Sequence, residues 1–256
     1  MIKAAFFDVD GTLFSHKTKQ IPPSAREALD KLRARGIRCV ISTGRMIQEM
    51  DRLPIGDVTF DAYITMNGQL TLDNNKRPLY GMPLNGVARD FALRVFEEKK
   101  IPVILVEQPR LYLNFESQRV TEIQAAISSK VPPVGEYTGA DFYQACIYIP
   151  PEQEYILDPI REHCEITRWN PGSVDVIARG GGKRNAICLY LEKNGIAPEE
   201  TIAFGDGEND MGMLQLAGIG VALGNAEEQV KAIADYVTDD IDEDGLANAL
   251  KHFGLI

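Results

Sequence analysis

Cysteine is scarce in this 256-residue chain: Cys39, Cys146, Cys164 and Cys188 are its whole complement, and no two form a CxxC pair. That argues against a disulfide-stapled scaffold and leaves buried free thiols of a reducing compartment. Basic residues are also short, 27 Lys and Arg against 37 Asp and Glu, which gives a net charge of −10 and a pI near 4.9. Binding a polyanion needs a basic stripe, so nucleic acid is not an expected partner. An anionic small molecule is still allowed, because a metal ion and a few local cations can hold one phosphate whatever the total charge. Long apolar runs are missing. The opening stretch MIKAAFFDVDG is too short in its apolar part for a signal peptide, and no stretch approaches the length of a membrane span. Internal repeats and low-complexity segments are absent as well. The expectation is a cytoplasmic monomer with no membrane partner.

What is present is a globular composition, 45% hydrophobic and 25% charged, in a chain long enough for a core domain plus a second unit. Residues 4–7 form a short apolar run ending at Asp8, residues 37–41 another ending at Ser42-Thr43, and residues 62–65 a third ending near Asn67-Gly68. Between the first two, Ala25, Ala28, Leu29 and Leu32 recur at helical spacing after Pro22-Pro23, with Gly36 as a stop. Apolar strands alternating with helices predict a parallel sheet covered on both faces. The pattern returns near the C-terminus, with helices over 186–191, 226–234 and 245–253 and strands over 201–204 and 219–223. The middle differs: helical stretches over 87–99 and 120–130, a third after Pro150, and strand-like runs over 102–106, 111–115, 145–149 and 174–177. Some of these alternate in polarity, as a sheet with one wet face does. The reading is α/β: a discontinuous Rossmann-like core of residues 1–82 and 180–256, with an α+β domain inserted over 83–179.

Asp8-Val9-Asp10-Gly11-Thr12 sits just past the first strand, at the carboxyl end where parallel sheets bind ligands. Two carboxylates two residues apart repel unless a cation or a proton separates them. Alone, such a motif reads as readily as a solvated Asp-Gly turn. A second acidic cluster, Gly205-Asp206-Gly207-Glu208-Asn209-Asp210, also follows a buried strand. If the two strands are neighbours, Asp8, Asp206 and Asp210 converge, and hard oxygen ligands without His or Cys favour Mg²⁺. The acidic spacing does not match a calcium-binding EF-hand loop.

Two further groups suit a phosphate. Ser42-Thr43-Gly44-Arg45 offers a hydroxyl and backbone N–H groups at the end of a strand, and Lys183 follows Gly180-Gly181-Gly182. Taken singly, the first reads as a helix cap and the second as a surface lysine. GGGK is not a P-loop, since Arg184 stands where Ser or Thr is required.

Together the four segments, in this order, resemble the motifs of the haloacid dehalogenase superfamily, and in particular its Cof-type phosphatases with a large type IIB α/β cap. Met66-Asn67-Gly68, Gly224-Asn225-Ala226 and Asp242-Glu243-Asp244-Gly245 are similar to that subfamily too. The departure is Lys183-Arg184 in place of Lys-Gly. The resemblance implies a Mg²⁺-dependent phosphatase acting on a small phosphorylated metabolite, a sugar phosphate first, with pyridoxal phosphate or a nucleotide behind. Asp8 matches the nucleophile, Asp10 the general acid/base, and Thr43 and Lys183 the phosphate binders, with Gly11, Gly44, Arg45 and Asn209 beside them. Asp206 resembles the magnesium ligand, Asp210 a ligand or its support, and the Asp10 carbonyl a further ligand with Asp8. Asp10 is expected to be protonated before transfer. Arg168, Trp169 and Asp175 are the cap's candidate substrate contacts, with Glu107 and Asn114 on its inner face; ordinary packing explains each of these five equally well. The competing readings are a phosphomutase of the same superfamily, a receiver-like phosphoacceptor and a catalytically silent binding protein. The length and the inserted domain argue against the receiver, and the complete set of reactive groups argues against silence.

Overall fold

The computed structural model describes every residue except 51, 52, 54–57, 109 and 128. The chain divides into two units, one made of Met1–Tyr80 and Gly182–Ile256, the other of Gly81–Gly181.

The first unit opens with β1 (Ala4–Phe7), α1 (Pro23–Ala34), β2 (Arg38–Ser42), α2 (Ile47–Met50), β3 (Ala62–Thr65), β4 (Leu70–Asp73) and β5 (Pro78–Gly81), the last running to the boundary. All four residues of β1 are buried, so the strand has no polar face and shows no alternation. In α1, Ala25, Ala28, Leu29 and Leu32 bury one face, and Pro23 occupies the first turn, where a missing N–H costs nothing. The second unit contains α3 (Gly86–Glu98), β6 (Val103–Glu107), β7 (Leu111–Leu113), α4 (Gln118–Ala126), β8 (Phe142–Ile147), β9 (Cys164–Asn170) and β10 (Ser173–Ala178). The first unit then resumes with α5 (Lys183–Asn194), β11 (Thr201–Gly205), α6 (Met211–Leu216), β12 (Ile219–Ala222), α7 (Glu228–Lys231), β13 (Tyr236–Val237) and α8 (Gly245–His252).

Among the described residues the first unit holds one sheet in the order β13-β12-β11-β1-β2-β3-β4-β5. It is parallel from β13 to β3. The β4 strand runs antiparallel to β3. Helix residues Ala186, Ile187, Tyr190, Met213 and Leu214 pack on Phe6, Val40, Ile64 and Ala203, so apolar side chains cover this part of the sheet. In the second unit the sheet order is β7-β6-β8-β10-β9. Each neighbouring pair of strands in it is antiparallel. Ala88, Phe91, Ala92 and Val95 of α3 pack with Leu105, Ala145, Val174 and Val176 of that sheet and with Leu157 and Ile160.

The α/β reading with a parallel core sheet and an additional α+β element holds. Several local expectations are corrected. The segment after Pro150 is a 3₁₀ stretch, Pro151–Ile160, interrupted by Pro159. The strand β9 after it was not foreseen, and neither were β4 and β5. Helix α7 covers four residues, not the nine expected over 226–234, because Asn225 and Ala226 are drawn into the turn that follows β12. Residue 128, in the expected helix over 120–130, lies outside the described residues.

Candidate active site

The register of three strands builds the site. Phe7 is aligned with Phe204 on one side and with Ile41 on the other. The residues that follow, Asp8, Gly205-Asp206 and Ser42-Thr43, therefore leave the sheet side by side at its carboxyl edge. The Asp8 N–H donates to the Phe204 carbonyl at 3.0 Å, which keeps the two acidic segments in step.

Lys183 opens α5 and is 2% exposed. Its ammonium donates to Asp8 Oδ1 and to Asp210 Oδ1, both at 2.6 Å. The other oxygen of Asp210 accepts the N–H groups of Asp206 and Gly207, each at 3.0 Å. Thr12 donates to Asp206 Oδ1 at 2.6 Å. Gly11 stands at φ 81°, and a Cβ there would collide with the Asp206 carboxylate, so both the backbone conformation and the close approach require glycine. Oxygens of Asp8, Asp206 and Asp210 lie within 4.8 Å of one another.

Lys183 stands among three carboxylates, and the imbalance shows at Asp8 and Asp206. Burial and the charge of Asp210 raise the Asp8 pKa to about 7, against the lowering pull of Lys183. Burial, Asp8 and Asp210 push Asp206 well above the ordinary carboxylate range, against Thr12 and Lys183. Burial would lower the Lys183 pKa, but Asp210 and Asp8 outweigh it and the net shift is upward. A cluster short of positive charge that offers only hard oxygen donors fits a divalent cation. Asp210 already uses both oxygens within the protein.

Asp10 behaves in the opposite way. Arg45 grips it with two hydrogen bonds, Nε to Oδ2 at 2.6 Å and Nη2 to Oδ1 at 2.7 Å. His16 Nε2 lies 3.0 Å from Asp10 Oδ1. Burial would raise the Asp10 pKa, but the hydrogen bonds from His16 and Arg45 prevail and bring it down to about 2. The expectation that Asp10 is protonated before transfer therefore does not describe this state, in which it is an engaged carboxylate. Arg45, expected among the phosphate contacts, points its guanidinium at Asp10. Thr43 is 1% exposed, and its hydroxyl accepts the Arg45 N–H at 3.1 Å, which leaves its own proton to donate. Asn209 donates to Asn67 Oδ1 at 2.9 Å.

In the second unit the candidate residues are paired locally. The Arg168 guanidinium bonds Glu154 at 2.8 and 3.0 Å and three backbone carbonyls, those of Ile149, Asn170 and Pro171. Trp169 Nε1 donates to Asp175 Oδ1 at 2.9 Å. Glu107 accepts from Tyr112 and Arg110. Asn114 is fully buried and ties Val103 to Phe96 and Ile101.

Three residues near the site have no role assigned from the sequence. Thr12 belongs to the DVDGT motif and carried its own signal. His16 is brought back to Asp10 because the bridge between Asp10 and Phe14 folds the segment on itself, which no spacing rule announces. Asn225, singled out only by resemblance, donates to the Gly11 carbonyl at 2.8 Å and accepts the Ile241 N–H at 3.0 Å, tying the first motif to the acidic tail.

Comparison with known proteins gives a consistent picture. A family model described as haloacid dehalogenase-like hydrolase matches residues 5–250. YkrA of Bacillus subtilis (strain 168) is 32% identical over 257 residues, covering 99% of this chain and 98% of the relative. The 5-amino-6-(5-phospho-D-ribitylamino)uracil phosphatase YcsE of the same organism is 29% identical, covering 99% and 96%. Among solved structures, the subclass IIB sugar phosphatase BT4131 superposes with a TM-score of 0.88 at 38% identity, covering 99% of this chain and all of that one. No helix among the described residues is long and apolar enough to cross a membrane.

Proposed function

The chain belongs to the haloacid dehalogenase-like hydrolases and is a phosphatase of that family, and from that premise we propose that it hydrolyses small phosphate monoesters, sugar phosphates first, through an aspartyl-phosphate on Asp8 with Mg²⁺ as cofactor. The observation that carries this reading is the buried contact of Asp8 with Lys183 inside a cluster of three carboxylates. Asp8 and Asp206 are the side chains that would hold the metal, with the Asp10 carbonyl beside them and Asp210 bracing Asp206 and Lys183. When bound, the cation supplies positive charge that lets an anionic nucleophile approach an anionic phosphoryl group.

The protein's own groups do the rest. The Asp8 carboxylate attacks phosphorus in line, forming its P–O bond as the bond to the leaving oxygen breaks. Lys183 offsets charge on the phosphoryl oxygens, and the Thr43 hydroxyl and the Gly44 backbone donate to them. The leaving alkoxide takes a proton from Asp10, which must then carry one and must have left the Arg45 bracket. In the second half a water molecule attacks phosphorus, Asp10 as carboxylate accepts its proton, and the bond to Asp8 breaks to release phosphate. The bracketed Asp10 of this structure is in the ionisation state that the second half requires.

Similarity to BT4131 supports a sugar phosphate, and similarity to YcsE adds a phosphorylated ribityl compound as a further candidate. The inserted unit is proposed as the element of selection. A panel of phosphorylated metabolites assayed for phosphate release tests the reading. Release should require Mg²⁺ and stop with EDTA, and sugar phosphates should lead. Transfer of phosphate to a second hydroxyl of the same substrate, without release, would favour a mutase.

A further inference from the structure

Met66-Asn67-Gly68 has no part in the mechanism above, yet its backbone is unusual. All three residues are left-handed, with φ of 51°, 52° and 88°. Met66 and Asn67 are not glycine, and both are buried. Side chains avoid this region unless the surroundings over-determine it. Here the surroundings are segments assigned to phosphate. The Met66 N–H donates to the Arg45 carbonyl and the Asn67 N–H to the Thr43 carbonyl, each at 3.0 Å. The Asn67 amide lies against Gly44, where a Cβ would stand 3.2 Å from Oδ1. The same Oδ1 accepts the Asn209 amide at 2.9 Å. Gly68 faces the Gly182 carbonyl so closely that a Cβ would strike it, and Gly182 immediately precedes Lys183. One three-residue turn thus touches the 43–45 loop, the start of α5 and Asn209.

The geometry points to Asn67 as the positioning residue of the phosphate pocket: its side chain spans Gly44 and Asn209 and fixes their spacing without touching phosphate itself. Asparagine suits the place on two counts. It tolerates the left-handed region better than other residues with a side chain, and its amide oxygen reaches Asn209. A leucine or valine could do neither. The assignment rests on the phosphatase reading, since it presumes that Gly44 and Asn209 face a phosphoryl group.

The test is calorimetric titration of inorganic phosphate into the magnesium-loaded protein, for wild type, Asn67→Gly, Asn209→Ala and the double variant. Glycine keeps the left-handed backbone and removes only the side chain. Each single change should weaken phosphate binding about tenfold, and the double by no more than about tenfold, because the second change acts on a link already broken. With an ester substrate, KM should rise more than kcat falls. Unchanged phosphate affinity in Asn67→Gly, or a double variant weakened about a hundredfold as independent sites would be, overturns the assignment. Asn67→Ser carries the same expectation if Asn67→Gly does not fold. A wild-type protein that fails to bind phosphate overturns the proposed phosphate site and this assignment together. Wild-type binding with an indifferent Asn67→Gly overturns only this one.

Discussion

The two units treat their acidic groups in opposite ways. In the second unit the charged groups noted above are matched: Glu107 has Tyr112 and Arg110, Glu154 has Arg168 and Arg161, and Asp175 has Trp169. In the first, Asp8, Asp206 and Asp210 share one lysine, and Asp8 is left with a pKa of about 7. Folding alone would not keep such an imbalance, because buried like charges cost stability unless something neutralises them. A matched pair can be explained by structure, whereas an unmatched cluster calls for a ligand. The contrast therefore separates the place where chemistry is expected from the place where charge serves packing.

The contrast can be broken first at Asp8. Asp8→Asn keeps size and removes the nucleophile, so turnover should fall by at least about a thousandfold while the fold survives. Steady-state phosphate release checks this, and wild-type turnover would remove Asp8 from the mechanism.

Lys183 comes next. Lys183→Met removes the cation that, among the described residues, bonds the cluster, and should destabilise the metal-free protein by about 3–5 kcal/mol at pH 8. At pH 5 the loss should be smaller, since the carboxylates can take up protons instead. Urea melts at the two pH values measure the difference, and equal losses would mean that the cluster is not charge-limited.

The third concerns the metal. Asp8 has a folded pKa raised above its ordinary value, so the stability from its protonation is fully present below about pH 4 and is lost as the pH rises through about 7. A cation replaces that proton. The rise in melting temperature on adding Mg²⁺ should therefore be larger at pH 8 than at pH 5. A larger rise at pH 5 would contradict the assignment of the cluster as a metal site.

The smallest effect belongs to the second unit. Tyr112→Phe removes one donor from Glu107, which Arg110 still partners, and should cost about 1–2 kcal/mol of stability. The kcat on a minimal phosphate ester should not change. A fall in that kcat would mean that the matched network reaches the chemistry after all.

How much of this could be read in the sequence depends on where each residue sits. The candidate catalytic groups are legible because a parallel sheet presents the residue after each buried strand at the same edge, so Asp8, Thr43 and Asp206 announce themselves by following apolar runs. Asp10 was found, but its partner was not. A Thr-Gly-Arg segment at a strand end fits phosphate and carboxylate equally well, and only the folded register shows Arg45 turned onto Asp10. The strand β9 was hidden because Cys164–Asn170 has a single buried residue, Cys164, and follows a Pro-rich stretch that reads as helix. The edge strand β5, Pro78–Gly81, is mostly exposed and carries a proline at its start, so it gives no apolar signal. Asn67 stood in a recognisable segment, yet its role follows from a positive φ and a contact 142 residues away in sequence.

The proposed role of the first unit's charge imbalance is to hold a cation beside Asp8, the proposed nucleophile. Acid quenching of a single turnover, followed by mass spectrometry of the peptide that contains Asp8, tests it most directly. A phosphoryl group on Asp8 that appears and decays at rates compatible with kcat is the result predicted here. Phosphate release at the full rate with no phosphoryl group ever found on Asp8 would contradict it.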